Sequence, residues 1–314
     1  MAYTTVNKSS DYFQTELWSA QDTSIDTINF APDWVWIKSR TNADSQVVFD
    51  RVRGANKRLS SSGTTAEQTT TGELTAFNSD GFTLGTGDNV NRSGHNYVSW
   101  NWRAAGTTGS ANTDGTINST VSVNTTSGFS IVKYTGTGSN ATIGHGLGSV
   151  PKMIIVKRLS NAENWTTYHT SLGNTKYIDL DANSASVTYN MWQNTDPTSS
   201  VFSITTHNRL NANGDDYIAY CFAQKAGYCK FGSYIGTGNA NGPFIYTGFR
   251  PAFIVLKVGS DINDWTMFDT TRPGYNVNNQ ALLPNLNNVE STDHALDIVS
   301  NGFKIRDNDG TVNP

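Results

Sequence analysis

Apolar and polar residues alternate along this chain in short runs, and three of the runs follow one plan. Pro32-Asp33-Trp34-Val35-Trp36-Ile37-Lys38, Pro151-Lys152-Met153-Ile154-Ile155-Val156-Lys157 and Pro251-Ala252-Phe253-Ile254-Val255-Leu256-Lys257 each place a lysine six residues after a proline. Eleven residues further on stands an aromatic, Phe49, Tyr168 or Phe268, followed by Asp50, His169 or Asp269. The next shared aromatic, Phe82, Phe202 or Phe303, comes 33, 34 or 35 residues later. Fifteen residues beyond the first two of these, Tyr97 and Tyr217 open the aromatic runs Tyr97-Val98-Ser99-Trp100-Asn101-Trp102 and Tyr217-Ile218-Ala219-Tyr220-Cys221-Phe222. Matched offsets of this kind are the signature of internal repetition.

Within each copy, runs of period-2 alternation are bounded by Gly, Asn, Asp and Ser clusters, which predicts strands. Trp34 and Trp36 point one way and Val35 and Ile37 the other. Both faces are apolar, so the strand is expected to be interior, with proline entering where no ladder donor is lost. Lys38, Lys157 and Lys257 share the phase of Trp34 and Trp36. They are expected to end their strands structurally, stems on apolar surface and amines in water. No stretch sustains a helical period, and the best candidate, Ala281-Leu282-Leu283, is cut by Pro284.

The expected fold is therefore all-β: three tandem β-sandwich repeats of the jelly-roll or lectin-like kind. The boundaries are 1–104, 119–226 and 227–314, with 105–118 a flexible linker rich in small and polar residues. Repeats 2 and 3 are joined closely and are expected to form a rigid pair. Position 318, where the closing tyrosine of the third copy should fall, lies beyond Pro314. The last repeat is thus expected to lack its final strand, supplied either by a continuation of the chain or by another subunit.

Composition narrows the function. Of 314 residues only 15% are charged, with a net charge of −4, yet there are 8 Trp, 13 Tyr and 14 Phe. That combination builds cores and is unlike a disordered acidic chain. The pI near 5.7 and scattered Lys and Arg provide no basic face for nucleic acid. The short basic stretch Arg51, Arg53, Lys57 and Arg58 reads as a solvated loop. No apolar window reaches membrane length, so no membrane insertion is expected. The first residues show no signal-peptide pattern. Cys221 and Cys229 lack partners at zinc spacing and read as small buried side chains.

Catalytic signatures are not found. Gly144-His145-Gly146-Leu147-Gly148 lacks the strand-to-helix setting of a phosphate loop and reads as a turn. The histidines do not pair at metal spacing. Asp179 with Asp181, and Asp215 with Asp216, read as solvated faces rather than calcium ligands. A polysaccharide-degrading enzyme would need two carboxylates across a cleft, and the acids fall mostly in turns. The chain is expected to be no enzyme, with no cofactor and no metal. Three tryptophans stand as candidate carbohydrate-binding residues: Trp165 and Trp265, beside amides and carboxylates, and Trp192, in a loop-like Asn190-Met191-Trp192-Gln193-Asn194.

Several segments carry a family resemblance: Phe13-Gln14-Thr15-Glu16-Leu17-Trp18, the run from Pro32 to Lys38, and Thr75-Ala76-Phe77-Asn78-Ser79-Asp80-Gly81-Phe82. Gly128-Phe129-Ser130-Ile131-Val132-Lys133-Tyr134-Thr135-Gly136-Thr137-Gly138, His145-Gly146-Leu147-Gly148 and the run from Tyr217 to Ala223 belong with them. The chain resembles the repeat-bearing, tail-fibre-like or lectin-like virion structural proteins of tailed marine bacteriophages, over essentially its whole length. The resemblance implies a virion location, synthesis in the host cytoplasm, and use as a tail fibre or appendage for host attachment. It also implies other virion proteins as partners, homo-oligomers including trimers, and host-surface glycans as receptors. An elongated rod of repeats acting by multivalent adhesion is the leading expectation. The alternatives are a capsid decoration or tail-assembly protein that binds only virion proteins and, third, a polysaccharide-degrading enzyme. In relatives the last repeat closes with a Tyr-Ile-Tyr-Met-Ala-Phe-Ala-like strand.

Overall fold

The computed structural model describes residues 4–314 and is nearly all β. The first lobe contains β1 (Phe13–Ser19), β2 (Ser24–Ile25), β3 (Trp34–Ser39), β4 (Val47–Asp50), β5 (Lys57–Ser60), β6 (Gln68–Thr69), β7 (Leu74–Phe77) and β8 (Phe82–Leu84). It ends with the one-turn helix α1 (Asp88–Asn91) and β9 (Asn96–Trp102). The second lobe runs through β10 (Ser110–Asn112), β11 (Ser119–Asn124), β12 (Phe129–Thr135), β13 (Ala141–Gly144), β14 (Pro151–Arg158), β15 (Thr166–His169), β16 (Lys176–Asp179), β17 (Val187–Thr188) and β18 (Val201–Ile204). The helix α2 (Asn208–Asn211) and β19 (Asp216–Ala223) close it. The third lobe holds β20 (Phe244–Tyr246), β21 (Phe253–Leu256), β22 (Thr266–Asp269), β23 (Leu296–Val299) and β24 (Gly302–Ile305).

The matched sequence offsets become matched topology. The large sheet of the first lobe runs β1-β9-β3-β4-β5-β6, and that of the second contains β12-β19-β14-β15-β16-β17 in the same order. The registers agree as well: Trp36 pairs with Trp100, and Ile155 with Tyr220. A smaller sheet covers one face of each lobe: β2-β8-β7, β13-β18 and β20-β24-β23. In the third lobe the large sheet is reduced to β21-β22, extended by a bridge between Met267 and Leu282.

Alternation sorts each strand between two cores. Val35, Ile37, Phe49, Phe82 and Tyr97 lie beneath the first small sheet. Ile154, Val156, Tyr168, Phe202 and Tyr217 do so in the second lobe, and Ile254, Leu256, Phe268 and Phe303 in the third. Every repeat aromatic therefore serves the core of its own lobe. The opposite faces meet one another. Trp34, Trp36 and Trp100, then Ile155, Trp165 and Tyr220, then Trp265, Met267 and Leu282, all belong to one central core, with Phe253 and Val255 packed against it. A rod of separate modules has no such core. The expected elongated arrangement is corrected to three lobes packed back to back, because both faces of each large sheet are apolar and each needs cover.

Contacts across the three joints follow one cyclic rule. The Glu67 amide donates to Leu159 O at 3.0 Å, that of Ser186 to Gly259 O at 2.9 Å, and that of Glu290 to Arg40 O at 2.9 Å. These are the same position in each copy, so the first lobe leads to the second, the second to the third, and the third back to the first.

The expected linker is not a free tether. β10 lies at the edge of the second large sheet, Ile117 is buried, and the amides of Ala104 and Gly106 donate to Asp33 at 2.6 and 3.0 Å. The predicted interior strand holds, since β3 is buried throughout. The lysines differ from expectation. Lys38 and Lys157 are fully buried, and their amines donate to Asn42 O and Thr64 O at 3.0 and 2.8 Å. Desolvation lowers both amines to about 8, as it does that of half-buried Lys257.

Candidate functional site

The three candidate tryptophans are not available to a ligand. Trp165, Trp192 and Trp265 are 0%, 2% and 5% exposed. The Trp165 indole N–H donates to Ser60 O at 2.8 Å and that of Trp265 to Asp179 O at 2.9 Å, each crossing into the neighbouring lobe. At the same repeat position the first lobe has Gln46, whose side-chain amide donates to Leu283 O in the third. These residues close the ring of lobes. Trp192 donates to Lys176 O at 3.0 Å and packs edge-on against Tyr168. The expectation of sugar-stacking tryptophans is corrected: the polar partners of these rings are backbone carbonyls that satisfy a buried indole.

The charged residues follow the same pattern. The basic stretch is no solvated loop. Arg51 pairs with Asp33 at 3.1 Å, Arg53 with Asp50, and Arg58 with Glu73 at 2.7 Å. Asp179 pairs with Arg209 at 2.9 Å, and burial raises its carboxyl to about 6 against the pull of that guanidinium. Asp181 accepts from the Trp165 amide at 2.9 Å, and Asp215 pairs with Arg158. The expectation of solvated faces for Asp179, Asp181 and Asp215 is corrected accordingly. Among the described residues no group of three or more His, Cys, Asp or Glu is placed to hold a metal ion. Cys221 and Cys229 are free thiols, the first buried, and burial pushes both thiols up.

An exposed aromatic does lie in the loop around Trp192, two positions earlier in the chain than Met191. Tyr189 is 51% exposed and borders an open depression of about 320 Å³ lined by Asn140, Asn190, Thr205, Thr206 and His207. β17 ends just before Tyr189, whose amide donates to Thr175 O at 3.0 Å and continues the ladder between β16 and β17 by one rung. The His207 ring packs edge-to-face on it with centroids 5.4 Å apart. His207 caps α2, its Nδ1 accepting from the Arg209 amide at 3.1 Å. Burial, then the Arg209 guanidinium, lowers the His207 pKa. The neutral ring carries its proton on Nε2, where it can donate. The depression thus combines one aromatic face with amides, hydroxyls and a donor imidazole, a set suited to a neutral polyhydroxylated ligand.

Neither Tyr189 nor His207 was singled out from sequence. The available signal was divergence between copies. Strand register places Thr70 and Gly87 of the first lobe where the second has Tyr189 and His207.

The fold and these surfaces define an all-β protein of three interlocked lobes. Residues 8–314 match the family described as a domain of unknown function, DUF7483, and the chain belongs to that family. No curated protein and no solved structure matches the chain. Among the described residues no helix is long and apolar enough to cross a membrane.

Proposed function

We propose that the chain is a bacteriophage virion structural protein, part of a tail fibre or appendage, which recognises host-surface glycans without catalysis. Its three lobes are tandem β-sandwich repeats closed into a rigid knob. The family resemblance in the sequence supports the virion setting. The observation carrying the recognition role is the Tyr189 depression, an exposed ring backed edge-to-face by His207 and set among neutral hydrogen-bonding groups. Neutral contacts of this kind are insensitive to salt, and presentation in several copies compensates for a weak single site.

Glycan-array binding by the full chain tests this reading. The wild type is expected to bind, and Tyr189→Ala to lose binding with an unchanged melting temperature. A wild type that binds no glycan would leave the second reading, a decoration or tail-assembly protein that docks on other virion proteins.

A further inference from the structure

The small sheets of the first and third lobes have three strands, β2-β8-β7 and β20-β24-β23, whereas that of the second has two, β13-β18. The segment standing in the place of β7 starts and ends as β7 does. The Thr205 amide donates to Met191 O at 3.1 Å, as that of Gly85 does to Glu73 O at 2.7 Å. The Thr198 amide donates to Val201 O at 2.9 Å, as that of Asn78 does to Gly81 O at 2.8 Å. Between these fixed points the second lobe has two more residues than the first, and one of its residues is Pro197, which has no amide to give to a ladder. A turn replaces the strand, with the Thr195 amide donating to Trp192 O at 3.0 Å.

Within this turn Gln193 and Asn194, at φ 55° and 48°, lie in the left-handed region. Asparagine visits it readily, and glutamine does not. The side chain of Gln193 is what holds it there. Its Nε2 donates to Ala141 O and to Ile204 O, each at 2.9 Å. Those two residues pair directly at the ends of β13 and β18. Their chain neighbours Asn140 and Thr205 line the Tyr189 depression. On the loop side, the Met191 amide donates to Tyr189 O at 2.9 Å and the Trp192 indole to Lys176 O at 3.0 Å. One side chain thus fastens the loop carrying Tyr189 and Asn190 to both strands that lead into the rest of the depression. An unfavourable backbone conformation over-determined by its surroundings, beside a binding surface, is a means of preorganisation.

We propose that Gln193 is the positioning residue of the Tyr189 depression: its carboxamide fixes Tyr189 and Asn190 against Asn140 and Thr205, so that the site has its shape before a ligand arrives. The second lobe has given up the third strand of its small sheet to make this loop. The inference rests on the reading of the depression as a glycan site, and it names the residue on which that site's affinity depends without touching the ligand.

The test compares the full chain with Gln193→Gly, which relieves the backbone and removes the clamp, and Gln193→Glu, which keeps the size and lacks both donors. Amide exchange in the free chain is the first readout. Exchange at Met191 and Thr205 is expected to quicken at least about tenfold in both variants, with β19 unchanged. The second readout is titration with methyl α-D-mannopyranoside, methyl β-D-galactopyranoside and methyl β-D-glucopyranoside, followed through the Tyr189 and His207 ring signals. The wild type is expected to bind at least one of them saturably, and Gln193→Gly to bind it at least about tenfold more weakly, because the competent loop is then only partly populated. Unchanged exchange in both variants would overturn the proposal whatever the sugars do, and so would a Gln193→Gly chain that binds as tightly as the wild type. Quickened exchange in a chain whose wild type binds none of the sugars would support the clamp and count against the glycan reading alone.

Discussion

Tyr220→Phe is the sharpest probe of the ring of lobes. The hydroxyl is buried in the central core and donates to Asp50 across the joint between the first and second lobes at 2.7 Å. Only one oxygen is removed, so the cavity is negligible and the lost hydrogen bond dominates. A bond to a charged acceptor contributes about 1.5–3 kcal/mol. Asp50 keeps Arg53, which pairs with it through the guanidinium and donates its own amide at 2.8 Å. No carboxylate is therefore left unpaired, and the cost is expected to be about 2 kcal/mol. Urea denaturation at neutral pH measures it. Native-state hydrogen exchange then tests the architecture. Because the bond joins two lobes through one core, protection is expected to fall in β4 and β19 alike. A loss below about 0.5 kcal/mol, or a loss of protection confined to β19, would refute the idea that the lobes are energetically continuous.

Two further outcomes follow from burial. Lys38 and Lys157 titrate at about 8 in the folded chain and near 10.4 when unfolded. Between those values the unfolded chain holds more protons, so stability rises with pH. The gain is about 1.5 kcal/mol per lysine from about pH 8 to about 9.5, reversing higher as tyrosines ionise, since burial holds Tyr134 and Tyr220 above their ordinary range. Denaturation across this range should show the rise, and Lys38→Met with Lys157→Met should flatten it; a wild type with no rise would mean that the amines reach water. Gly81→Ala should cost more than about 3 kcal/mol, read by thermal melting, because the added Cβ would sit 1.6 Å from Ile25 O. A near-neutral substitution would show that β2 and β8 are less closely apposed.

The large sheets were legible because alternation and offset are local properties. Prolines, lysines and aromatics at fixed spacing gave the strand plan of β3, β4 and β9 and of their counterparts, and the paired faces of Trp34-Val35-Trp36-Ile37 gave an interior strand. What covers the second face was not legible. A tryptophan against another lobe and a tryptophan against sugar share one local pattern, as Trp165 and Trp265 show. In the second lobe Val201 stands where the first and third have Gly81 and Gly302. Gly144 pairs with Val201, so the small residue has moved to the partner strand, which single-strand reading does not register.

The cyclic contacts explain why three copies are combined. Position 165 donates into the first lobe, position 265 into the second and position 46 into the third. Two copies would leave one donor and one large-sheet face uncovered, whereas a third returns the ring to its start. Closure also allows the copies to diverge. The donor at this joint is an indole twice and an amide once, because what the joint requires is an N–H aimed at a carbonyl and not one side chain. The same freedom released positions 189 and 207 of the second lobe, which lie outside every joint, to become Tyr189 and His207. Residues that break the repeat away from the joints are therefore where the proposed recognition is to be tested, and residues that keep it are where stability resides.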